Sequence, residues 1–360
     1  MRWTATATVV AVLVLTALTA YQYRAEGPLV VVPGLALAPL LVSLLLSWQA
    51  TGLVALYTIA CVVVLSLEHA PFLDQATLLR VAGAAATAGF AVVNAAVRRQ
   101  REARLARITR VAEVAQEAIL PAVPPELGGF AIASRYVSAS HDALVGGDLF
   151  DAVATTRGVR VLVGDVRGKG LPAVRTAAHA LSAFRQLAGR PELRLVDVAV
   201  ALDDSLQGDL GEEDFVTAVL CELGPLRTLE VVNCGHPAPL LVPADAAPRE
   251  LTATRPALPL GLGTDPVPDR YRLDPGDRLL LFTDGLSEAR DGHGVFLDLA
   301  GHAGVLRDPD LQHAVDGLLA AAAQHAGGTL ADDVAVLLVD VTDAGPRPPA
   351  GTAGRLLTRA

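Results

Sequence analysis

The chain is poor in the residues that several classes of protein depend on. It has 360 residues, of which three are cysteines and one, Lys169, is a lysine. Cys61, Cys221 and Cys234 are too few and too far apart to indicate a disulfide framework or a zinc site. Aromatic residues make up 4% of the chain, the net charge is −9, and no basic patch contains interleaved aromatic side chains. Together these absences argue against a nucleic-acid partner.

Apolar residues, in contrast, make up 52% of the chain, which is more than one soluble domain usually contains. The excess lies in four stretches, each close to the ~20 residues with which a helix crosses a bilayer. They are Thr4–Ala20, Leu29–Leu46, Gly52–Leu67 and Ala76–Val97. We therefore predict a transmembrane region of about four helices over residues 1–97. The first stretch alone could be a cleaved signal peptide, but the three that follow favour a membrane anchor.

A dense group of arginines follows the fourth stretch directly. Its members are Arg98, Arg99, Arg101, Arg104, Arg107 and Arg110. Positive charge beside a membrane span is typical of the cytoplasmic side. With four spans, this predicts a multi-pass protein of the cell membrane, in contact with lipid, whose termini and catalytic domain are cytoplasmic.

Residues 98–122 are predicted to form a cytoplasmic connector helix. Apolar residues recur there at spacings of three and four: Leu105, Ile108, Ala112, Ala115 and Ile119. Prolines at positions 121, 124 and 125 end the pattern. The apolar face would join two copies into a homodimer or dock on the next domain, and a passive solvated stalk is the alternative.

Residues 123–342 have the pattern of an α+β domain. Short strand-like runs are separated by turns, and helical stretches come in blocks rather than after every strand, which favours an antiparallel β-sandwich flanked by α-helices. The predicted strands are Phe130–Val137, Leu149–Thr155, Val159–Val163, Phe215–Leu223, Thr228–Val232, Arg278–Phe282 and Val334–Val341. The predicted helices are Pro172–Leu187, Leu193–Leu206 and Leu311–His325. Residues 343–360, rich in Pro, Gly and Arg, are predicted to be disordered.

Four segments place aspartates at the ends of these apolar runs: Val145–Asp151, Val163–Gly170, Leu281–Gly285 and Ala331–Val334. A strand that ends in an aspartate next to glycine puts a carboxylate at the edge of a sheet, where the chain can turn sharply. Several such ends together would hold two hard cations, and ligands that are all oxygen favour Mg²⁺ or Mn²⁺ over Zn²⁺. The pattern therefore indicates hydrolysis by metal-activated water.

The order and spacing of seven motifs between residues 115 and 341 resemble the metal-dependent protein phosphatase (PPM, type 2C) family, in its bacterial SpoIIE/RsbU-like branch. The motifs are Gln116–Pro121, Gly147-Asp148, Gly164–Gly170, Phe215–Thr217, Asn233–Pro239, Phe282–Glu288 and Asp332-Asp333. The resemblance implies a PPM-type fold and a membrane-anchored protein-serine/threonine phosphatase. Its substrate would be a phosphorylated signalling protein, and the family suggests a STAS-domain anti-anti-sigma factor.

The resemblance also implies roles for individual residues. The catalytic carboxylates would be those of Asp148, Asp165, Asp284 and Asp332. Asp165 would bridge two metal ions, Asp148 and the Val166 carbonyl would bind one of them, and Asp284 and Asp332 would bind the other. Asp333 is an alternative to Asp332, because adjacent residues of a strand point to opposite faces.

Other residues near these motifs have two interpretations each. Arg167 and Lys169 would contact the phosphate of the substrate or only cap and solvate their loop. His236 is favoured as a structural residue over a general acid. Ala335 stands where this branch often has threonine, and Arg167 where it often has serine, and neither difference removes a carboxylate.

Two alternative functions follow from the same sequence. A catalytically silent signalling scaffold would keep the fold without the chemistry, but the complete set of aspartates argues against it. Gly146–Phe150 also looks like the GGDEF signature of diguanylate cyclases. However, Leu149 replaces the signature glutamate, and that alternative leaves the other aspartate segments unexplained.

Overall fold

The structure is a computed structural model that describes residues 2–24, 32–69, 74–120, 122–138, 146–208, 210–211 and 214–341. The chain divides into two compact units, Met1–Arg107 and Ile108–Ala360. Val145, the first residue of the first aspartate segment, and the tail predicted to be disordered, residues 343–360, lie outside the described residues.

The first unit is built from apolar helices. They are α1 (Arg2–Arg24), α2 (Val32–Ser43), α3 (Trp48–His69) and the first part of α4 (Gln75–Ile119). Three of the four are long and apolar enough to cross a membrane, whereas α2 has 12 residues. The predicted count of four spans therefore stays a prediction.

Helix α4 contains two segments that differ in composition, the first apolar and the second rich in arginine. The predicted fourth apolar stretch and the predicted connector form one continuous helix of 45 residues. No proline interrupts it, and it ends at Ile119, shortly before Pro121. A residue before proline is disfavoured in the α conformation, which agrees with this boundary.

The described residues of the second unit form two antiparallel sheets, the last part of α4 and five further α-helices. The strands are β1 (Glu126–Leu127), β2 (Phe130–Val137), β3 (Asp148–Thr155), β4 (Gly158–Val166), β5 (Val216–Leu223), β6 (Thr228–Cys234), β7 (Leu240–Val242), β8 (Arg249–Glu250), β9 (Asp269–Arg272), β10 (Arg278–Phe282) and β11 (Val334–Asp340). The helices are α5 (Leu171–Ala188), α6 (Leu195–Gln207), α7 (Asp284–Ser287), α8 (Ala303–Leu306) and α9 (Leu311–His325). One sheet has the order β1-β2-β11-β10-β7-β8, and the other β3-β4-β5-β6-β9.

Side chains on the two faces of the central strands pack into different layers of the core. In β4, Val161 and Val163 belong to a buried cluster that also contains Leu279 and Leu337 of the other sheet. Leu162, on the opposite face of β4, packs instead in the cluster formed with α5 and α6. Successive side chains of a strand point to opposite faces, so one strand contributes to two layers. A third cluster covers the other sheet with α8 and α9.

Most elements of this unit agree with the sequence-based boundaries. Phe130–Val137, Arg278–Phe282 and Leu311–His325 coincide with β2, β10 and α9. The strand predicted over Val159–Val163 is longer, because β4 runs from Gly158 to Val166. The short elements β7, β9 and α7 were not predicted, since runs of three or four residues carry little periodicity.

One buried arginine connects the second sheet to its helices. Arg160 of β4 is fully buried, and its Nε donates to Glu222 Oε2 at 2.6 Å. Its Nη1 donates to the carbonyls of Ala188 and Arg190, and its Nη2 to that of Leu193, in the loop between α5 and α6. The guanidinium therefore satisfies backbone groups that a hydrophobic side chain would leave unpaired.

We expect Arg160→Met to destabilise the second unit by about 3–5 kcal/mol, because it removes the closest donor of the largely buried Glu222 carboxylate and one donor from each of three backbone carbonyls. The melting temperature should fall by on the order of 10 °C in differential scanning calorimetry of the full chain in detergent. Arg157→Met is the matched control, since Arg157 reaches the same Glu222 at 3.6 Å from a half-exposed position. Equal melting temperatures for the two variants would contradict this role for Arg160.

Candidate active site

Two of the predicted site residues face each other across one strand pair. Asp148 begins β3, Asp165 lies next to the end of β4, and their Cα atoms are direct partners in the antiparallel register. Residues that are directly opposite in such a pair project to the same side of the sheet. The strand pairing therefore places two carboxylates together at one end of the second sheet.

The third carboxylate comes from the other sheet. Strand β10 ends at Phe282, and Asp284 is the first residue of α7, which follows. One carboxylate oxygen from each of Asp148, Asp165 and Asp284 lies within 4.8 Å of the other two. We call these three residues the carboxylate cluster.

Thr283 connects the two sheets beneath the carboxylate cluster. Its side chain is fully buried, and its hydroxyl donates to Asp148 Oδ2 at 2.8 Å. The same hydroxyl accepts a hydrogen bond from the backbone N–H of Ala335 in β11, also at 2.8 Å. One side chain of the first sheet thus orients a carboxylate of the second.

Two glycines permit the close approach of backbone segments at this point. A Cβ atom on Gly147 would lie 2.5 Å from the carbonyl oxygen of Val166, and one on Gly285 would lie 2.0 Å from that of Asp333. Contacts this short exclude any side chain at either position. The glycines next to the aspartates are therefore required by packing between β3, β4 and the start of β11.

The adjacent residues Asp332 and Asp333 have different environments. Asp333 is buried, and its carboxylate accepts hydrogen bonds from the Tyr136 hydroxyl (2.8 Å), the Ser138 hydroxyl (3.1 Å) and the Gly146 N–H (2.6 Å). Asp332 is half-exposed and forms an ion pair with Lys169 at 2.8 Å. Asp333 therefore fixes the backbone at Gly146, just before β3. Asp332 remains at the edge of the carboxylate cluster.

The charges of these carboxylates oppose one another. Burial raises the pKa of Asp165 to about 7, and the negative charges of Asp284 and Asp332 contribute, while Lys169 opposes the change. Burial is also the main reason that the pKa of Asp284 is raised, with Asp332 as the next cause. The pKa of Asp148 lies well above its usual range because of burial and the charge of Asp165. The site therefore favours the binding of protons or of cations.

The loop after Asp165 carries the two predicted substrate contacts. Arg167 is exposed, and its guanidinium lies 5.3 Å from the centroid of the Phe215 ring. Its backbone N–H donates to the Phe215 carbonyl at 2.9 Å, which fixes the loop against the start of β5. Lys169, two residues further on, reaches Asp332. Both positive side chains therefore come from the same short loop as Asp165.

The fold and this site can now be compared with known proteins. The family model for Stage II sporulation protein E (SpoIIE) matches residues 155–342, which is 188 of the 360 residues. The chain belongs to the SpoIIE family. This confirms the predicted resemblance to the SpoIIE/RsbU-like branch.

Solved structures agree with the SpoIIE assignment. The RsbU and RsbW domains of a Mycobacterium tuberculosis protein match with a TM-score of 0.54 and 29% identity, over 64% of this chain and 63% of theirs. The chain therefore spans less than two thirds of that protein. The SiaA-PP2C domain of Pseudomonas aeruginosa matches with a TM-score of 0.54 and 21% identity, over 68% of this chain and 99% of that domain. This second likeness shows the fold alone, a PPM-type arrangement of antiparallel sheets and helices.

His236 has the environment of a structural residue. Its Nδ1 lies 3.0 Å from the Thr217 hydroxyl and its Nε2 lies 3.1 Å from the Phe282 carbonyl. Burial lowers its pKa to about 4, so the ring is neutral near pH 7. It connects β5 to β10 from a turn that Asn233 closes by accepting from the His236 N–H at 2.8 Å. This geometry supports the structural interpretation that the sequence favours.

Cys221 and Arg227 have the Cys-x5-Arg spacing of cysteine-dependent phosphatases, but the structure does not support that chemistry. Cys221 lies inside β5, is fully buried, and burial raises the pKa of its thiol. A nucleophilic cysteine needs partial exposure and a lowered pKa. The spacing is therefore incidental.

Sequence reasoning assigned no role to the residues that support the carboxylate cluster. Thr283 lies in a motif that was recognised, yet its bond to Asp148 depends on how the two sheets pack. Tyr136 and Ser138, near the end of β2, are far in sequence from Asp333, to which both donate. The sequence offers one signal for such a supporting residue, the threonine at position 283 directly before Asp284.

The raised pKa of Asp165 predicts how the stability of the metal-free protein depends on pH. An acid whose pKa is higher in the folded state makes the fold less stable as pH rises from about 4 to about 7, after which the effect is constant. In chelator, Asp165→Asn should therefore gain about 5 °C in melting temperature relative to the native chain between pH 4.5 and 7.5.

The native chain and Asp165→Asn must be compared at each pH, because the lowered pKa of His236 changes the stability with pH in the opposite direction. Its lowered pKa makes the fold more stable as pH rises to about 6.5, and it does so in both proteins. Asp245→Asn is the control, since Asp245 is exposed in the loop between β7 and β8. A difference between native and Asp165→Asn melting temperatures that does not change with pH would refute the explanation.

Proposed function

We propose that this chain is a membrane-anchored protein-serine/threonine phosphatase that uses two Mn²⁺ or Mg²⁺ ions to hydrolyse phosphoserine or phosphothreonine on a signalling partner. The observation that carries the proposal is the convergence of Asp148, Asp165 and Asp284 within 4.8 Å. Asp148 is buried and the other two are partly buried, and ionised carboxylates at this separation are unfavourable without positive charge, which divalent cations supply. Membership of the SpoIIE family supports the reaction class.

The residues at the site fit hard cations. All of the donors are oxygens, which favours Mg²⁺ or Mn²⁺. The absence of a side chain at Gly147 lets the backbone before Asp148 lie close to the Val166 carbonyl, which would be a further donor. The ligands would be Asp165, shared by both ions, with Asp148 and the Val166 carbonyl on one ion and Asp284 and Asp332 on the other.

Asp332, rather than Asp333, is the ligand that we assign at the start of β11. The carboxylate of Asp333 already accepts three hydrogen bonds, two of them on the same oxygen. The carboxylate of Asp332 is half-exposed, and its negative charge raises the pKa of both Asp165 and Asp284. Asp333 also raises the pKa of Asp165 and of Asp148, so the exposure of the Asp332 carboxylate is what favours Asp332 as the ligand.

The chain's own residues would bind and orient the phosphoryl group. The ions, when bound, supply the Lewis acidity that activates water and neutralises phosphoryl oxygens. Arg167 and Lys169 would hold the phosphoryl group, and stacking on Phe215 restricts the Arg167 side chain before substrate binds. Thr283 fixes the orientation of Asp148.

The membrane assignment rests on the first unit. Three helices have the length and composition of membrane spans, and α2 would be the fourth, shorter one. Arg98 Nη2 donates to the Leu46 carbonyl at 2.7 Å, so the first arginine of the cationic group is held at the end of the turn after α2. Clustered positive charge here supports a cytoplasmic location for the residues that follow.

A phosphorylated STAS-domain anti-anti-sigma factor is the partner that the family resemblance suggests. The match to RsbU and RsbW domains in one protein supports a signalling role. The connector, residues 98–122, would carry information from the membrane by dimerising or by docking. Ala112 packs against Val174 of α5, which supports docking. The SpoIIE assignment gives no support to the diguanylate cyclase alternative.

The function is tested by release of phosphate from a phosphoserine peptide and from para-nitrophenyl phosphate, with the full chain in detergent. We expect release with Mn²⁺ or Mg²⁺ and none in chelator. Asp165→Asn and Asp284→Asn should each reduce kcat/KM by at least about 100-fold, because a metal ligand is lost, which costs more than the roughly 10- to 100-fold of an outer partner. Asp245→Asn should keep the native rate. A folded chain that binds metal without hydrolysing either substrate would support the signalling scaffold instead.

Asn substitutions at positions 332 and 333 should distinguish the roles of the two adjacent aspartates. Asp332→Asn should melt within about 2 °C of the native chain but need at least about tenfold more Mn²⁺ for half-maximal activity. Asp333→Asn should lose on the order of 5 °C, because it weakens three buried hydrogen bonds to a charged acceptor. The assignment of the ligand is reversed if the two variants show these effects the other way round.

A further inference from the structure

A groove of about 730 Å³ opens on the second unit between the β7–β8 hairpin and the segment that follows α7. Carboxylates and apolar side chains line it. We call it the acidic groove and define it by Leu240, Glu250, Phe282, Glu288, Phe296 and Asp298. None of these residues belongs to the carboxylate cluster or to the predicted substrate contacts.

The acidic groove begins directly beside the carboxylate cluster. Glu288 follows α7, whose first residue is Asp284, and its backbone N–H donates to the Asp284 carbonyl at 2.7 Å. The charge of Glu288 also contributes to the raised pKa of Asp284. Four residues of helix cover about 6 Å, so a polypeptide bound at the cluster would pass the groove within a few residues.

Acidic side chains outnumber basic ones among the residues that line the acidic groove. Glu250, Glu288 and Asp298 contribute three carboxylates, while Arg249 is the one basic residue among those that line it. The Arg249 guanidinium lies 5.7 Å from the centroid of the Tyr271 ring. Within the part of the chain that the structure describes, neither Glu250 nor Glu288 forms an ion pair.

The apolar part of the lining narrows the choice of ligand. Leu240 and Phe282 are buried, whereas Phe296 is 49% exposed, and the Arg290 guanidinium lies 4.4 Å from the centroid of its ring. Lysine and arginine side chains combine an apolar stem with a charged head, and so match a groove that offers both surfaces. A small hydrated cation would gain nothing from the apolar part.

We propose that the acidic groove binds a lysine or arginine side chain of the phosphoprotein, close in sequence to the phosphorylated serine or threonine. The proposal rests on the proposed phosphatase function and adds a specificity determinant to it. An extended chain advances ~3.3 Å per residue, which places the basic residue roughly two to four positions from the phosphorylated one. The positive side chains of Arg167 and Lys169 would meet the phosphate, and the acidic groove would meet the neighbouring positive charge of the substrate.

The test is a scan of phosphoserine peptides with the full chain in detergent and Mn²⁺. Each peptide carries a single arginine at one position from −4 to +4 in an alanine background. We expect kcat/KM to rise about fivefold at one or two adjacent positions, which is the upper end for a pair of partly exposed charges. The increase should shrink as salt is added. A scan in which no position exceeds twofold would overturn the proposal.

Glu250→Lys tests whether the preference for arginine arises in this groove, because Glu250 lies on β8 and has no part in the carboxylate cluster. It should abolish the preference for arginine and create one for glutamate at the same position. Glu192→Lys, at an exposed position between α5 and α6, is the control and should keep the native preference. An arginine preference that survives Glu250→Lys would place its origin elsewhere and refute the proposal.

Hydrolysis of para-nitrophenyl phosphate distinguishes this proposal from the phosphatase function itself. That substrate has no peptide segment, so Glu250→Lys should leave its rate unchanged. If the native chain hydrolyses it, together with all peptides at equal rates, then the groove proposal fails and the phosphatase stands. If neither substrate class is hydrolysed with Mn²⁺, the proposed function has failed. If free Mn²⁺ alone occupies the groove, Glu250→Lys will change the Mn²⁺ dependence without any effect of the peptide sequence, and the proposal is wrong.

Discussion

Repulsion among carboxylates is the physical constraint on which the second unit depends. Asp148, Asp165 and Asp284 are brought within 4.8 Å by three different elements, and burial makes their ionised forms less favourable still. An arrangement of this kind costs stability unless cations bind, so the surrounding fold must hold it in place. The extensive core on both faces of β4 and the buried guanidinium of Arg160 provide that support.

Thr283, Asp333 and His236 make polar contacts between the two sheets near the site. The Thr283 hydroxyl joins Asp148 to the backbone of β11, and Asp333 joins the start of β11 to the end of β2 and the beginning of β3. Positions of the carboxylates are therefore coupled to how one sheet sits on the other. Residues without any contact to substrate can thus decide whether the cluster has the geometry for binding cations.

Much of this architecture could be predicted from the sequence, for identifiable reasons. Long strands such as β2 and β10 have clear apolar runs, and the aspartates stand beside glycines that permit close backbone approach. The choice between Asp332 and Asp333 could not be made, because alternation says that the two point to opposite faces but does not say which face is the site. Their environments differ through contacts with residues distant in sequence, among them the donors Tyr136 and Ser138 to Asp333 and the ion pair of Asp332 with Lys169. The continuity of α4 was also hidden, because its composition changes at Arg98 although its conformation does not.

The single lysine has a consequence for the chemistry of the whole chain. Lys169 is the only lysine in 360 residues, and its ammonium group lies 2.8 Å from Asp332 at the edge of the carboxylate cluster. Lys169 is therefore the one side-chain amine that an acylating reagent can modify, and it lies beside the carboxylate cluster. Acetylation of Lys169 would remove a positive charge from the loop that follows Asp165, and an isotope-labelled methyl group attached there would give one lysine resonance that reports on the surroundings of the carboxylate cluster.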